Sequence, residues 1–136
     1  MNVDTAPARQ CVSTVKVRYA ETDQMGVAYH ANYFVWFEVS RTDWLRAFGV
    51  TYRDLEAEGL YLPVIAAHCD YRSPARYDDD LHISAVARLV SPARIAFDYQ
   101  IHGPAALLAV GHTVHATLDR QGRPVRVPAR IKELIR

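Results

Sequence analysis

The sequence predicts an α+β domain in which a curved antiparallel sheet of about five strands wraps round one long buried helix. Three observations predict it. The segment from Asn32 to Phe48 is apolar at helical spacing over most of its circumference, the mark of a buried helix. The chain from Leu60 to Leu118 falls into runs of alternating apolar residues. Short turns bearing Pro and Gly join those runs, and short turns connect antiparallel neighbours. The length of 136 residues, half of them hydrophobic, suits a single domain spanning 1–136 with a real core. Residues 1–12 are expected to be a flexible lead-in.

Each element has its own signal. In "STVKVRY", Val15, Val17 and Tyr19 alternate with Lys16 and Arg18, which predicts a half-buried strand. The helix follows: Tyr33, Phe37, Trp44 and Phe48 recur along it, Trp36 and Val39 widen the stripe, and Gly49 supplies its C-terminal stop. "TYRDLEAEG" predicts a short second helix with Thr51 as N-cap and Gly59 as stop. Ile65, Ala67, Cys69 and Tyr71 then share one face of a strand. "SPARYDDD", "SPAR" and "HGPA" are turns. Between and after them, Leu81–Leu89, Ile95–Ile101 and Leu107–Leu118 alternate as three strands. "PARIKELIR" predicts a terminal helix with Pro128 early in it.

Composition narrows the function. Lys plus Arg number 16 and Asp plus Glu 15, a net charge of +1, which argues against a general nucleic-acid binder. Cations gather late in the chain, at Arg88, Arg94, Arg120, Arg123, Arg126, Arg130, Lys132 and Arg136, as a local phosphate site or a solvated sheet rim. Cys11 and Cys69 belong to no CxxC pattern, so no zinc site or disulfide framework is expected, and Cys69 reads as a small apolar residue. "MNVDTAPARQ" lacks an apolar signal core and no run reaches transmembrane length. A soluble, cytoplasmic protein is expected.

The chemistry gathers in "AETDQMGVAYHANYF", Ala20–Phe34. Asp23 with Gly26 reads as an Asx turn. His30 immediately precedes the buried helix, and Asn32 is placed to cap it. A helix start presents unpaired N–H groups and a positive dipole end, which suit an oxyanion. A carboxylate seven residues upstream, across a glycine turn, can face the same pocket. That pairing fits acyl transfer or hydrolysis.

Asp23 to Tyr33, "DQMGVAYHANY", closely resembles the signature of 4-hydroxybenzoyl-CoA thioesterase-like proteins. "YRSPARYDDDLHI" resembles that family's strand–turn–strand region. The resemblance runs from about Val15 to Pro128 and is strongest to small bacterial acyl-CoA thioesterases, including the Tol-Pal-associated type. It implies the hot-dog fold and a homodimer or homotetramer with sites at the subunit interface. It further implies an acyl-CoA substrate, hydrolysed to free acid and CoA without a cofactor or metal. By the same resemblance, Asp23 is the nucleophile or the general base and the His30 backbone N–H the oxyanion donor. Gly26 permits close backbone approach or positive φ. Tyr29 and Tyr33 line the acyl pocket or pack in the core. Arg88 and Arg94, approaching across the "LVSPA" turn, are phosphate contacts, with Arg123, Arg126 and Arg130 as further candidates.

Other groups carry other readings. Glu38 and Arg41, three apart on the helix, are expected to pair, and Glu38 is the second candidate catalyst. His112 and His115 fall on opposite strand faces, which disfavours a shared metal. His68 and Asp70 share a face and can hydrogen-bond. A non-catalytic acyl-CoA-binding module, a carrier-protein thioesterase of polyketide type and a dehydratase on the same scaffold are the rival functions. The acyl group, aromatic or short aliphatic, stays open.

Overall fold

The computed structural model describes residues 9–135. The elements are β1 (Gln10–Lys16), α1 (Asn32–Ala47), α2 (Tyr52–Ala57), β2 (Val64–Tyr71), β3 (Asp80–Ser91), β4 (Arg94–His102), β5 (Leu107–Ala116) and α3 (Ala129–Lys132). A 3₁₀ turn at Tyr19–Glu21 lies between β1 and α1. The strands form one antiparallel sheet in the order β1-β3-β4-β5-β2. The hairpins β3–β4 and β4–β5 are sequence neighbours, as their short turns require. β1 and β2 are added at the two edges.

The concave face of the sheet takes α1. Phe37, Trp44 and Leu45 of the helix are buried against Ile83, Ala85, Phe97, Tyr99, Ile101 and Ala109. The Phe37 ring stacks on Tyr99 at 4.3 Å between centroids. It fits because position 111 has no side chain: a Cβ there would fall 2.5 Å from Phe37 Cζ and 2.6 Å from the His68 carbonyl oxygen. The helix stops where the sequence predicts. Gly49 N–H donates to Arg46 O and Val50 N–H to Leu45 O, with Gly49 at φ +87°, a Schellman motif. Thr51 caps α2 by accepting from Asp54 N–H at 3.1 Å.

Several expectations are corrected. The helix is not buried all round: Val35 is 51% and Val39 36% exposed on the side turned from the sheet. β2 is an edge strand, exposed over almost its whole length, and α1 meets it at its end, where the Tyr33 ring packs on Tyr71 at 4.8 Å. Tyr19 is exposed, since the chain leaves the sheet after Lys16 and turns. Asn32 is the first helical residue and not the cap; its Nδ2 donates to Glu21 O instead. Residues 9–12 of the expected flexible lead-in are structured: β1 begins at Gln10 and Arg9 donates to the Glu133 and Leu134 carbonyls. Residues 1–8 and Arg136 lie outside the described residues. Glu38 and Arg41 are not paired: Glu38 is exposed, while Arg41 turns inward to the Tyr99 and Tyr52 hydroxyls.

A polar chain crosses the core beneath that arginine. Leu62 O can only accept, so His115 Nδ1 carries the proton and donates to it at 3.0 Å. His115 Nε2 then accepts from Thr113 Oγ1 at 2.9 Å, and Thr113 accepts from Tyr99 Oη at 2.7 Å. The arrangement requires a neutral imidazole. Burial accordingly pushes the His115 pKa down from 6.5 to about 4, helped by the nearby Arg41 charge. His112, as predicted, faces the other way, where it stacks with His68.

Two predictions follow from this core. Between pH 6.5 and 4 the unfolded chain binds the His115 proton and the folded chain does not, so stability falls as pH falls through that window. The loss is on the order of 3 kcal/mol. Urea unfolding at both ends of the window should show a flatter pH slope for His115→Gln than for the native chain. Gly111→Ala should cost about 1–3 kcal/mol by overpacking Phe37, read as a lower urea midpoint.

Candidate active site

Glu21 anchors the loop that carries the motif. Its carboxylate is buried and accepts from Arg18 N–H at 2.8 Å and from the Trp36 indole Nε1 at 3.3 Å. Its backbone oxygen accepts from Tyr29 N–H and from Asn32 Nδ2, both at 2.8 Å. One residue thus ties the approach to the loop, the exit from the loop and the second turn of α1 together.

Asp23 sits two residues further on, at the mouth of this frame. The Asx turn is present: Asp23 Oδ1 accepts from Met25 N–H at 2.9 Å, and Gly26 at φ +78° closes the turn by donating to Asp23 O. The Asp23 N–H donates to Val27 O, so the loop returns on itself. The turn occupies only one carboxylate oxygen. Oδ2 has no hydrogen-bond partner among the described residues and is free.

At the helix start the backbone is held but not saturated. Asn32 N–H donates to Tyr29 O and Tyr33 N–H to His30 O. Tyr71 Oη, reaching from the end of β2, donates to His30 O at 2.8 Å. Burial, with Cys69 next, pushes the Tyr71 pKa up to about 12, so it stays a donor. Among the described residues, the His30 N–H has no intramolecular acceptor. It is one of the orphan donors that every helix start leaves.

Asp23, Val27, His30, Tyr33, Tyr71 and Ser73 line one pocket of ≈ 320 Å³. The sequence therefore brings together Asp23, His30 and Tyr33. Tyr33 is buried, packs its ring on Tyr71 at 4.8 Å and accepts from Ala75 N–H, so it serves the core and the pocket at once. The other candidates stand elsewhere. Gly26 shapes the turn and does not line the pocket; a Cβ there would meet nothing within 4 Å. Tyr29 is half exposed, its ring against that of His30. Arg88 Nε is ion-paired with Asp98 across the β3–β4 ladder at 2.8 Å, and the ladder sets Arg88 opposite Ala96, two residues from Arg94. Arg94 pairs with Ala116 in the β4–β5 ladder, at the opposite end of the sheet from Tyr71. Arg123 and Arg130 are paired with Asp119 and Glu58. Arg126 stands with Lys132 on a separate pocket beside Ser91. His68 Nε2 lies 3.5 Å from Asp70 Oδ1, the contact their shared face allows.

This frame is a known one. A family profile for the thioesterase-like superfamily matches residues 17–135. The chain belongs to that superfamily. Its fold is the hot-dog fold: 4-hydroxybenzoyl-CoA thioesterase, bound to 4-hydroxybenzoyl-CoA, superposes with a TM-score of 0.85 at 17% identity, over 95% of this chain and all of that one. YneP of Bacillus subtilis is 35% identical over 114 residues, 82% of this chain and 83% of that one. The acyl-CoA thioesterase YbgC of Haemophilus influenzae is 32% identical over 120 residues, 87% of this chain and 88% of that one. No helix among the described residues of this thioesterase-like chain is long and apolar enough to cross a membrane.

Two residues of the site were not singled out from sequence. Glu21 stands in the polar cluster but is silent there, since nothing local says that its carboxylate is buried. Tyr71 lies on the correct strand face, yet its partner is 41 residues away. Glu21→Ala should cost about 2–3 kcal/mol, because it strands the Trp36 indole and the Arg18 N–H. Urea denaturation followed by tryptophan fluorescence would register that loss; an unchanged midpoint would remove Glu21 as the anchor.

Proposed function

We propose that this thioesterase-like protein hydrolyses an acyl-CoA thioester to the free acid and CoA, with Asp23 as the reacting carboxylate. One observation carries the assignment: a free carboxylate oxygen and an uncommitted helix-start N–H line the same pocket. The thioester oxygen accepts from the His30 N–H, where the dipole of α1 favours the charge that develops as the carbonyl carbon becomes tetrahedral. Asp23 Oδ2 either bonds to that carbon or takes a proton from the water that does. In the first route CoA thiolate leaves an acyl anhydride, which water then hydrolyses. In the second, water's oxygen stays on the acyl group, and the proton passes from Asp23 to the departing sulfur. A thiolate with a pKa of about 8.5 leaves without a strong acid, so one carboxylate and one oxyanion donor suffice. The relatives known as acyl-CoA thioesterases fit this substrate class.

Tyr71 at the end of β2 lines the pocket, and β2 is an edge whose backbone is free to pair. A second copy joined there antiparallel, across a two-fold axis, makes a homodimer, with further packing a homotetramer. Antiparallel pairing brings the Val64 end of one β2 beside the Tyr71 end of the other. It therefore carries the far end of the partner's sheet, with its Arg88 and Arg94 counterparts, toward this chain's Asp23. That is the arrangement in which those arginines reach CoA phosphates. CoA as the substrate carrier places the reaction in the cytoplasm.

Release of free thiol from a panel of aliphatic and aromatic acyl-CoAs tests the assignment. Asp23→Asn should lower turnover at least about a hundredfold, roughly 2.7 kcal/mol of barrier, while the fold is retained by circular dichroism. Equal turnover by both proteins would move the catalytic role to Glu38. Affinity without turnover in the native protein would favour a binding module.

A further inference from the structure

Arg41 holds a buried donor, its Nε, for which the described residues provide no acceptor, and the Tyr52 hydroxyl stands beside it. Arg41 lies one helical repeat beyond Phe37 and two beyond Tyr33, on the same face of α1. Its guanidinium rests against the hydroxyls of Tyr99 and Tyr52, and its Nε is buried with no hydrogen-bond partner. No carboxylate comes within ion-pair distance of it among the described residues. Glu38, one turn earlier, is exposed. The core network cannot supply the missing acceptor. Its direction is set at the far end by Leu62 O, so the Tyr99 proton goes to Thr113 and the Thr113 proton to His115. Every hydrogen in it points away from Arg41. The Tyr52 oxygen faces the guanidinium, and among the described residues no oxygen takes the Tyr52 proton. A largely buried cation with no anion is costly, and a protein that keeps one leaves a place for an anion.

The place is within reach of the reaction centre. Nine residues separate Asn32 from Arg41, a rise of about 14 Å along the helix. Arginine side chains lean toward the helix N-terminus, which shortens the span to roughly 10 Å. The route between the two lies along α1 beside β2. There the helix leaves Ile65 and Ala67 uncovered, with Phe34 and Cys69 half-buried.

We propose that Arg41 and Tyr52 form the far end of the acyl pocket and bind a carboxylate at the tip of the acyl group. The preferred substrate is then the CoA thioester of a medium-length dicarboxylic acid. A carboxylate offers two oxygens to two donors and neutralises the guanidinium. This assignment rests on Asp23 and His30 as the reaction centre.

The test compares octanoyl-CoA with suberyl-CoA, equal in length and different only at the far end. The native protein should show a kcat/KM at least tenfold higher for suberyl-CoA. Arg41→Gln should remove that preference and leave octanoyl-CoA within about threefold of the native rate. Should Arg41→Gln fail to fold, Tyr52→Phe keeps the ring and deletes one donor; it should lower suberyl-CoA turnover several-fold and spare octanoyl-CoA. A native protein that turns over octanoyl-CoA as well as suberyl-CoA, or variants that slow both alike, would overturn the proposal and leave the thioesterase assignment standing. If neither thioester is hydrolysed, the thioesterase assignment is the one that fails. Thermal shift by free suberate against free octanoate then decides this proposal separately. A larger shift for suberate that disappears in Tyr52→Phe supports it, and equal shifts sink it.

Discussion

The seating of α1 in the concave face of the sheet is the constraint on which the other features depend. Phe37 enters β5 where Gly111 leaves room, and it stacks flat on Tyr99. Trp44 closes the far end against Phe97. Interiors pack as tightly as crystals, so a helix fixed at two such points has little freedom to slide. Its start is therefore fixed in space, and with it the His30 N–H. The Schellman motif at Gly49 sets the other end and turns the chain into α2. A helix start can serve as the proposed oxyanion site only if it stays put, and the aromatic core holds it.

The loop before the helix is built to the same end with polar groups. Glu21 binds the Trp36 indole and the Arg18 and Tyr29 segments at once, so Asp23 hangs from a rigid frame. The Asx turn uses one oxygen of Asp23 and leaves the other. Turn former and proposed reacting group are therefore compatible readings of one carboxylate. Tyr71 adds a link from the sheet edge to the helix start. The site is thus shared between the most rigid part of the molecule and its least covered strand.

What could be read in advance follows from the range of each interaction. The alternation in β3, β4 and β5 and the aromatic period of α1 are local patterns, and they placed those elements within a residue or two. Thr51, Gly49 and Gly59 act within one helical turn, and they too were legible. The apolar alternation of Ile65, Ala67, Cys69 and Tyr71 marks β2 as a strand and says nothing of what covers it. Its exposure is a matter of sheet order, which no local pattern carries. Glu21, Tyr71 and Arg41 were missed or misassigned for the same reason: their partners lie far away in sequence or on a different element. Arg41 had an acid three residues off and was expected to use it, yet the core supplied two tyrosine hydroxyls instead. That Asp23, His30 and Tyr33 line one pocket was legible because their motif is contiguous. Arg88 and Arg94 stand apart from that pocket because they share only a hairpin.

Where a thioester lies decides whether Asp23 and the His30 N–H form the reaction centre. The most direct measurement is a crystal structure of Asp23→Asn with an acyl-CoA bound. The thioester oxygen should lie within about 3.2 Å of the His30 nitrogen, with the acyl carbon beside position 23 and the acyl chain running along α1 beside β2. A thioester held in another pocket, or one whose carbonyl faces away from the helix start, would contradict it.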